Sequence, residues 1–189
     1  MTWLALGLII FLGSHLVRAL APAWRDAQIA RLGANGWKGL NSVISLLGFG
    51  LIVWGFSLAR QQPVMLWPRI PGMNHLAALL TLFAFILLAA ANVPRNHLKA
   101  RLRHPMTLAV KVWALAHLLA NNTLHDAVLF GSFLIWSVLV FRAARRRAEP
   151  APPAGTAAGT ALTVVIGAAL WAGFAFWAHA AWIGVRPLG

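Results

Sequence analysis

Six apolar runs, most of them near twenty residues long and joined by short connections rich in Arg and Lys, leave this chain few folds other than a bundle of membrane-crossing helices. The runs are Trp3–Leu20, Leu40–Ala59, Asn74–Asn92, Pro105–Ala120, Leu124–Phe141 and Thr160–Ile183. Only 10% of the residues are charged and 60% are hydrophobic. Soluble domains carry about 25% charged residues, so the chain is expected to be an all-α polytopic membrane protein of six spans. Its 189 residues suit one domain.

The charges fix a topology. Of the 16 Lys and Arg, twelve fall in three alternate connections: Arg18, Arg25, Arg31 and Lys38; Arg95, Lys99, Arg101 and Arg103; Arg142, Arg145, Arg146 and Arg147. The opposite side holds Arg60, Arg69 and Arg186. Positive charge is retained in the cytoplasm, so the basic side is expected to be cytoplasmic, with both termini outside a bacterial inner membrane. The basic excess has no accompanying aromatic-basic stripe or RNA-binding signature, so the expected partner is the lipid bilayer and not nucleic acid. The absence of cysteine excludes disulfides, Cys-ligated zinc, iron–sulfur clusters and a thiol nucleophile from this chain.

Between the spans, Trp24 to Trp37 reads as an amphipathic surface stretch. The segment Gln61 to Met73, with Pro63, Pro68 and Pro71, reads as an extended outer loop. The first run has no preceding basic residue and no clean small-residue cleavage pattern, so it is expected to be a span and not a cleaved signal. The expected organisation is a five-helix core over residues 1–147, a flexible Pro/Ala/Gly-rich cytoplasmic linker over 148–159, and a last, more peripheral helix and tail over 160–189.

Chemistry is expected where polar groups enter the apolar runs. Lys111 and His117 lie in the fourth run and His15 in the first. An ionisable group at membrane depth costs roughly 2.5–3.5 kcal/mol on insertion scales, so such groups face a bundle interior or a cavity. His104 precedes Pro105, which suits a first helical turn. Lys111 lies seven residues on, on the same face, and Asn122 shares that face; His117 and Asn121, four apart, share another. A helix polar on two sides is expected inside the bundle. The four residues His15, His104, Lys111 and His117 are the candidate site. His97 reads as solvated or near lipid phosphates, His75 and His179 as interfacial, and Asp126, beside His125, as a helix cap.

The runs GSHLVRALAPAWRD, GWKGLNSVISLLGFGLIVWGFSLAR and RHPMTLAVKVWALAHLLANNTLHDAVLFGSF resemble the NnrU family of bacterial membrane proteins. The plant zeta-carotene isomerase is similar, more distantly, around His15 and around the segment ending at His117. The family resemblance implies a link to nitrite and nitric oxide metabolism, with a small gas or electrons handled at a haem. The distant relative implies haem b held by two histidines, at positions matching His15 and His117, with Lys111 or His104 near a propionate, and isomerisation of a hydrophobic polyene. Its motif has a cysteine where this chain has Ala114, so a thiolate switch is not expected here. The RHP triplet is also similar to that of membrane methyltransferases, but no matching carboxylates follow the fifth run. A non-catalytic assembly factor is the third reading.

Paired imidazoles from two helices suit low-spin iron. At 1.5 Å per residue, His15 and His117 lie about 18 and 5 Å from the outer ends of their runs. On depth alone, His104 is the alternative partner for His15.

Overall fold

The computed structural model describes residues 1–147 and 150–188; the first two residues of the expected linker, Ala148 and Glu149, lie outside the described residues, as does Gly189. Helix α1 (Thr2–Leu20) leads through Ala21 into α2 (Pro22–Ala59), then α3 (Met73–Asn92), a short α4 (His97–Leu102), α5 (Pro105–Ala120) and α6 (Leu124–Arg146). The last helix comprises α7 (Ala157–Gly173), a π-helical segment (Phe174–Ala178) and α8 (His179–Ile183). Five helices are long and apolar enough to cross a membrane, and the 16-residue α5 is a shorter apolar sixth. The chain is therefore a multi-pass helical membrane bundle.

Some boundaries differ from the expectation. The amphipathic stretch and the second span form one element, interrupted at Gly33, whose φ of 72° and ψ of 161° suit a residue without Cβ. Helix α6 continues past Phe141 to Arg146, carrying Arg142 and Arg145 beyond the apolar run. Helix α4 was not anticipated. It is capped by Asn96, whose carboxamide oxygen accepts from Lys99 N–H at 2.7 Å. The buried Asn96 amide donates to Ala90 O at 3.0 Å and Val93 O at 2.6 Å, closing the end of α3 as well. Arg95 and Arg103 bracket this turn with φ of 50° and 63°, a conformation costly for residues other than Gly.

The helices pack in a row, in the order α2, α1, α6, α5, α3, α7. Such a row exposes much apolar surface: 11,312 Å², against about 8,800 Å² for a compact globular protein of this mass. Ile9 and Leu46 are each 70% exposed, which suits contact with lipid. The centre of the row falls at α6 and α5, so the polar fourth run is interior.

Small residues let the outer pairs of the row approach closely. Gly48 and Gly55 lie on the face of α2 buried with Ile52 and Ala59, against Phe11 and the backbone of Leu4. Leu4, Leu8, Leu12 and Ile52 form the buried core there. At the opposite edge Gly167 of α7 faces Ile86 of α3.

The expected linker is docked, not loose, from Gly155 onward. Thr156 N–H donates to Arg95 O at 2.7 Å, and His97 N–H donates to Thr160 Oγ1 at 3.0 Å. At 1.5 Å per residue α5 spans about 24 Å, short of a roughly 30 Å hydrocarbon core. The outer loop covers its outer end. Leu66 N–H donates to Asn122 O and Leu124 N–H to Val64 O, both at 2.8 Å, while the buried Asn122 amide donates to Trp67 O at 2.7 Å. These bonds satisfy turn groups that lipid would leave unpaired.

Candidate functional site

His15 and His117 share one local device. The His15 Nδ1 lies 2.7 Å from Phe11 O, and the His117 Nδ1 lies 2.8 Å from Trp113 O, each one helical turn back. A carbonyl only accepts, so Nδ1 carries the proton. In the neutral form that bond selects the tautomer whose Nε2 lone pair is kept for another partner.

Aromatic rings link the two. His15 lies tilted against Phe11 at 4.5 Å, Phe11 meets Phe133 at 6.0 Å, Phe133 meets Trp113 at 5.5 Å, and Trp113 meets His117 at 5.1 Å. This chain crosses α6, which lies between α1 and α5 in the row. His117 stacks on Phe130 at 4.4 Å, and His15 stands edge-on to Trp136 at 6.3 Å. Six residues separate Phe130 from Trp136, so the α6 positions that meet the two imidazoles are offset by about 9 Å along the helix. Trp136 Nε1 is buried with no acceptor among the described residues.

His117 also lines a cavity of about 420 Å³ between α3, α5 and the last helix, at the end opposite the basic connections. Trp113, Trp171, Phe174, Ala77 and Ala78 supply apolar wall. His179, Thr81 and Asn121 supply polar groups, and Arg69 and Arg186 also border it. Asn121 donates to His117 O at 2.9 Å, and Trp171 Nε1–H donates to Thr81 Oγ1 at 3.2 Å.

Sequence reasoning missed His179. It assigned this residue to the interface, whereas the structure places it on the cavity, with Nδ1 2.7 Å from Val185 O and its Nε2 lone pair uncommitted by that bond. On a straight α-helix Trp171 and His179 would lie about 80° apart in azimuth. The π-helical segment takes back about one residue's rotation and brings both onto one face. Spacing alone carries no signal of that correction.

The other candidates gather elsewhere. Lys111 Nζ lies 4.5 Å from the Phe141 ring centroid and His104 meets the same ring edge-on at 6.3 Å. The four candidates thus fall into two described groups: His15 and His117 along the aromatic chain, Lys111 and His104 around Phe141. His97, expected as solvated, is exposed, and it also places Nδ1 2.8 Å from Thr160 Oγ1, helping to dock the last helix. Helix α6 is capped by Thr123. Asp126, the expected cap, sits three residues on and accepts from the Thr123 hydroxyl at 2.5 Å, with His125 Nε2 3.8 Å from its carboxylate.

Among the described residues no group of three or more His, Asp or Glu converges as a metal site. The donor chemistry in hand is imidazole nitrogen, singly or paired. Of curated proteins and of solved structures, none matches the chain. The family model described as NnrU protein matches residues 3–187, and the chain belongs to that family.

Proposed function

We propose that this protein is a haem b-binding protein of the bacterial inner membrane, serving nitrite and nitric oxide metabolism, with His117 and His15 as the histidines that hold the iron. The observation that carries this reading is the pair of Nδ1–H bonds to Phe11 O and Trp113 O, which orient both rings and leave Nε2 as the ligand atom. The unpaired Trp136 indole N–H beside His15 also fits a site that takes a polar partner. Bound haem would supply electron transfer or small-gas binding. The chain's own contribution is to fix the imidazoles and to set Phe130 and Trp113 against the half-buried His117 and Phe11 against the exposed His15, apolar neighbours that would tune the iron's potential.

The offset of about 9 Å bears on the pairing. Phe133 and Trp113 stand between the two histidines in the aromatic chain, so a haem shared by both rings would have to displace them. The apolar cavity beside His117 favours a second reading, a haem-dependent isomerase acting on a hydrophobic polyene; a non-catalytic assembly or regulatory role is the third.

The test is the visible spectrum of detergent-purified protein, oxidised and then dithionite-reduced. A strong Soret band with sharp reduced α and β bands supports bis-histidine haem. Protein that is colourless after expression with ample haem refutes the haem reading and leaves the non-catalytic role.

A further inference from the structure

Of the Lys and Arg residues, those expected on the outer side are Arg60, Arg69 and Arg186, and all three meet the same corner of the fold. Arg60 donates to Ile183 O at 2.8 Å, bracing the end of the last helix. Arg69 and Arg186 border the cavity that holds His117 and His179. Both are exposed at its rim, so either guanidinium is free to meet an anionic group of a molecule lodged in the cavity. The chain has three acids. Asp26 pairs with Arg25, Asp126 is engaged at the start of α6, and Glu149 belongs to the basic cytoplasmic connection. Among the described residues, neither Arg69 nor Arg186 has a carboxylate partner.

We propose that this cavity binds an apolar molecule bearing a carboxylate, with its body against Trp113, Trp171 and Phe174 and its acid at Arg69 and Arg186. Three features fit that division. The volume of about 420 Å³ is that of a small-ligand site. The cations sit on the segment Arg69–Gly72 and on the tail beyond α8, whereas the aromatic rings come from α5, α7 and the π-helical segment. The π-helical segment turns His179 toward the same space, as π-bulges at functional sites do.

The same chemistry has two sources: the propionates of a haem held at His117, or a free long-chain acid from the outer leaflet. Only the first rests on the haem reading.

The experiment compares acids with their esters on the full chain in lipid nanodiscs. One arm uses haemin against haemin dimethyl ester, read by the Soret band. The other uses a diazirine fatty acid against its methyl ester, read by labelling mapped to peptides of α3 and the last helix. The wild type should prefer at least one acid over its ester by about tenfold. Arg69→Gln with Arg186→Gln should bring that preference near unity, Arg69→Lys with Arg186→Lys should keep most of it, and Lys38→Gln should not alter it.

Equal binding of acid and ester by the wild type overturns the proposal without any variant. So does an acid preference unchanged by the double Gln variant. Should that variant not accumulate, Arg186→Gln alone serves the same comparison. Acid-selective labelling with no haemin binding leaves the carboxylate site standing and removes the haem reading. Haemin binding insensitive to esterification, without acid-selective labelling, does the reverse.

Discussion

Gly167→Ala probes whether the last helix is seated as described. A Cβ there would lie 2.5 Å from Ile86 Cα and 2.9 Å from Ile86 Cγ1. Carbon atoms in contact prefer about 3.5–4.0 Å, so α7 must shift from α3 by about 1–1.5 Å. Overpacking of this kind costs about 1–3 kcal/mol. Gly173→Ala is the paired control, because nothing lies within 4 Å of its Cβ position and its backbone is helical. Both variants gain the helix propensity of Ala over Gly, about 1 kcal/mol, so their difference isolates the packing. At about 2–4 °C per kcal/mol, Gly167→Ala should melt about 2–12 °C below Gly173→Ala in the same detergent. The shift would also strain the Trp171–Thr81 bond one turn away, so acid-selective labelling of the cavity should weaken in Gly167→Ala. Equal melting temperatures would refute the close approach of α7 to α3, and with it the cavity wall.

His15→Ala and His117→Ala should each reduce haem retention, whereas His97→Ala should not; equal retention in all three removes the ligand assignment. Lys111→Met should preserve or raise stability by about 1 kcal/mol, because a cation–π contact of about 0.5–2 kcal/mol does not offset roughly 2.5–3.5 kcal/mol for a charge at depth. A clear drop in the melting temperature of Lys111→Met would make the amine a structural group. Asn96→Ala should destabilise by about 2–4 kcal/mol, through a lost cap and two buried carbonyls left unpaired, and Asn96→Asp should recover part of this; a silent Asn96→Ala in thermal melts would contradict the described turn.

Much of the fold was legible because hydropathy and charge are local properties. Six apolar runs and three basic connections need no tertiary information to be read. The face-sharing of His104 with Lys111, and of His117 with Asn121, was legible too, since helical rotation fixes azimuth within one helix. What a face meets is a different question. Helical geometry places His15 and His117 correctly on their own helices but does not say that α6 separates α1 from α5. Nor did the outer loop's pairing with Asn122 and Leu124 announce itself, because residues some sixty apart meet there through backbone bonds that any side chains permit. Gly33 was visible as a glycine, but the break it makes in α2 was not.

The order of the row explains why the polar residues divide as they do. Because α6 lies between the helices bearing His15 and His117, its inward ridge of Phe130, Phe133 and Trp136 touches both imidazoles or their aromatic neighbours. Farther along α6, Phe141 receives Lys111 and His104. One helix with no ionisable residue between Asp126 and Arg142 thus organises all four candidates through its rings. The fifth polar group, His179, escapes that ridge because it reaches His117 from the other side, across α3 and the cavity. His117 is therefore where the aromatic chain and the cavity with its two arginines meet. A ligand that engages its Nε2 engages both, and this is the physical reason to test haem retention and carboxylate recognition on the same variants.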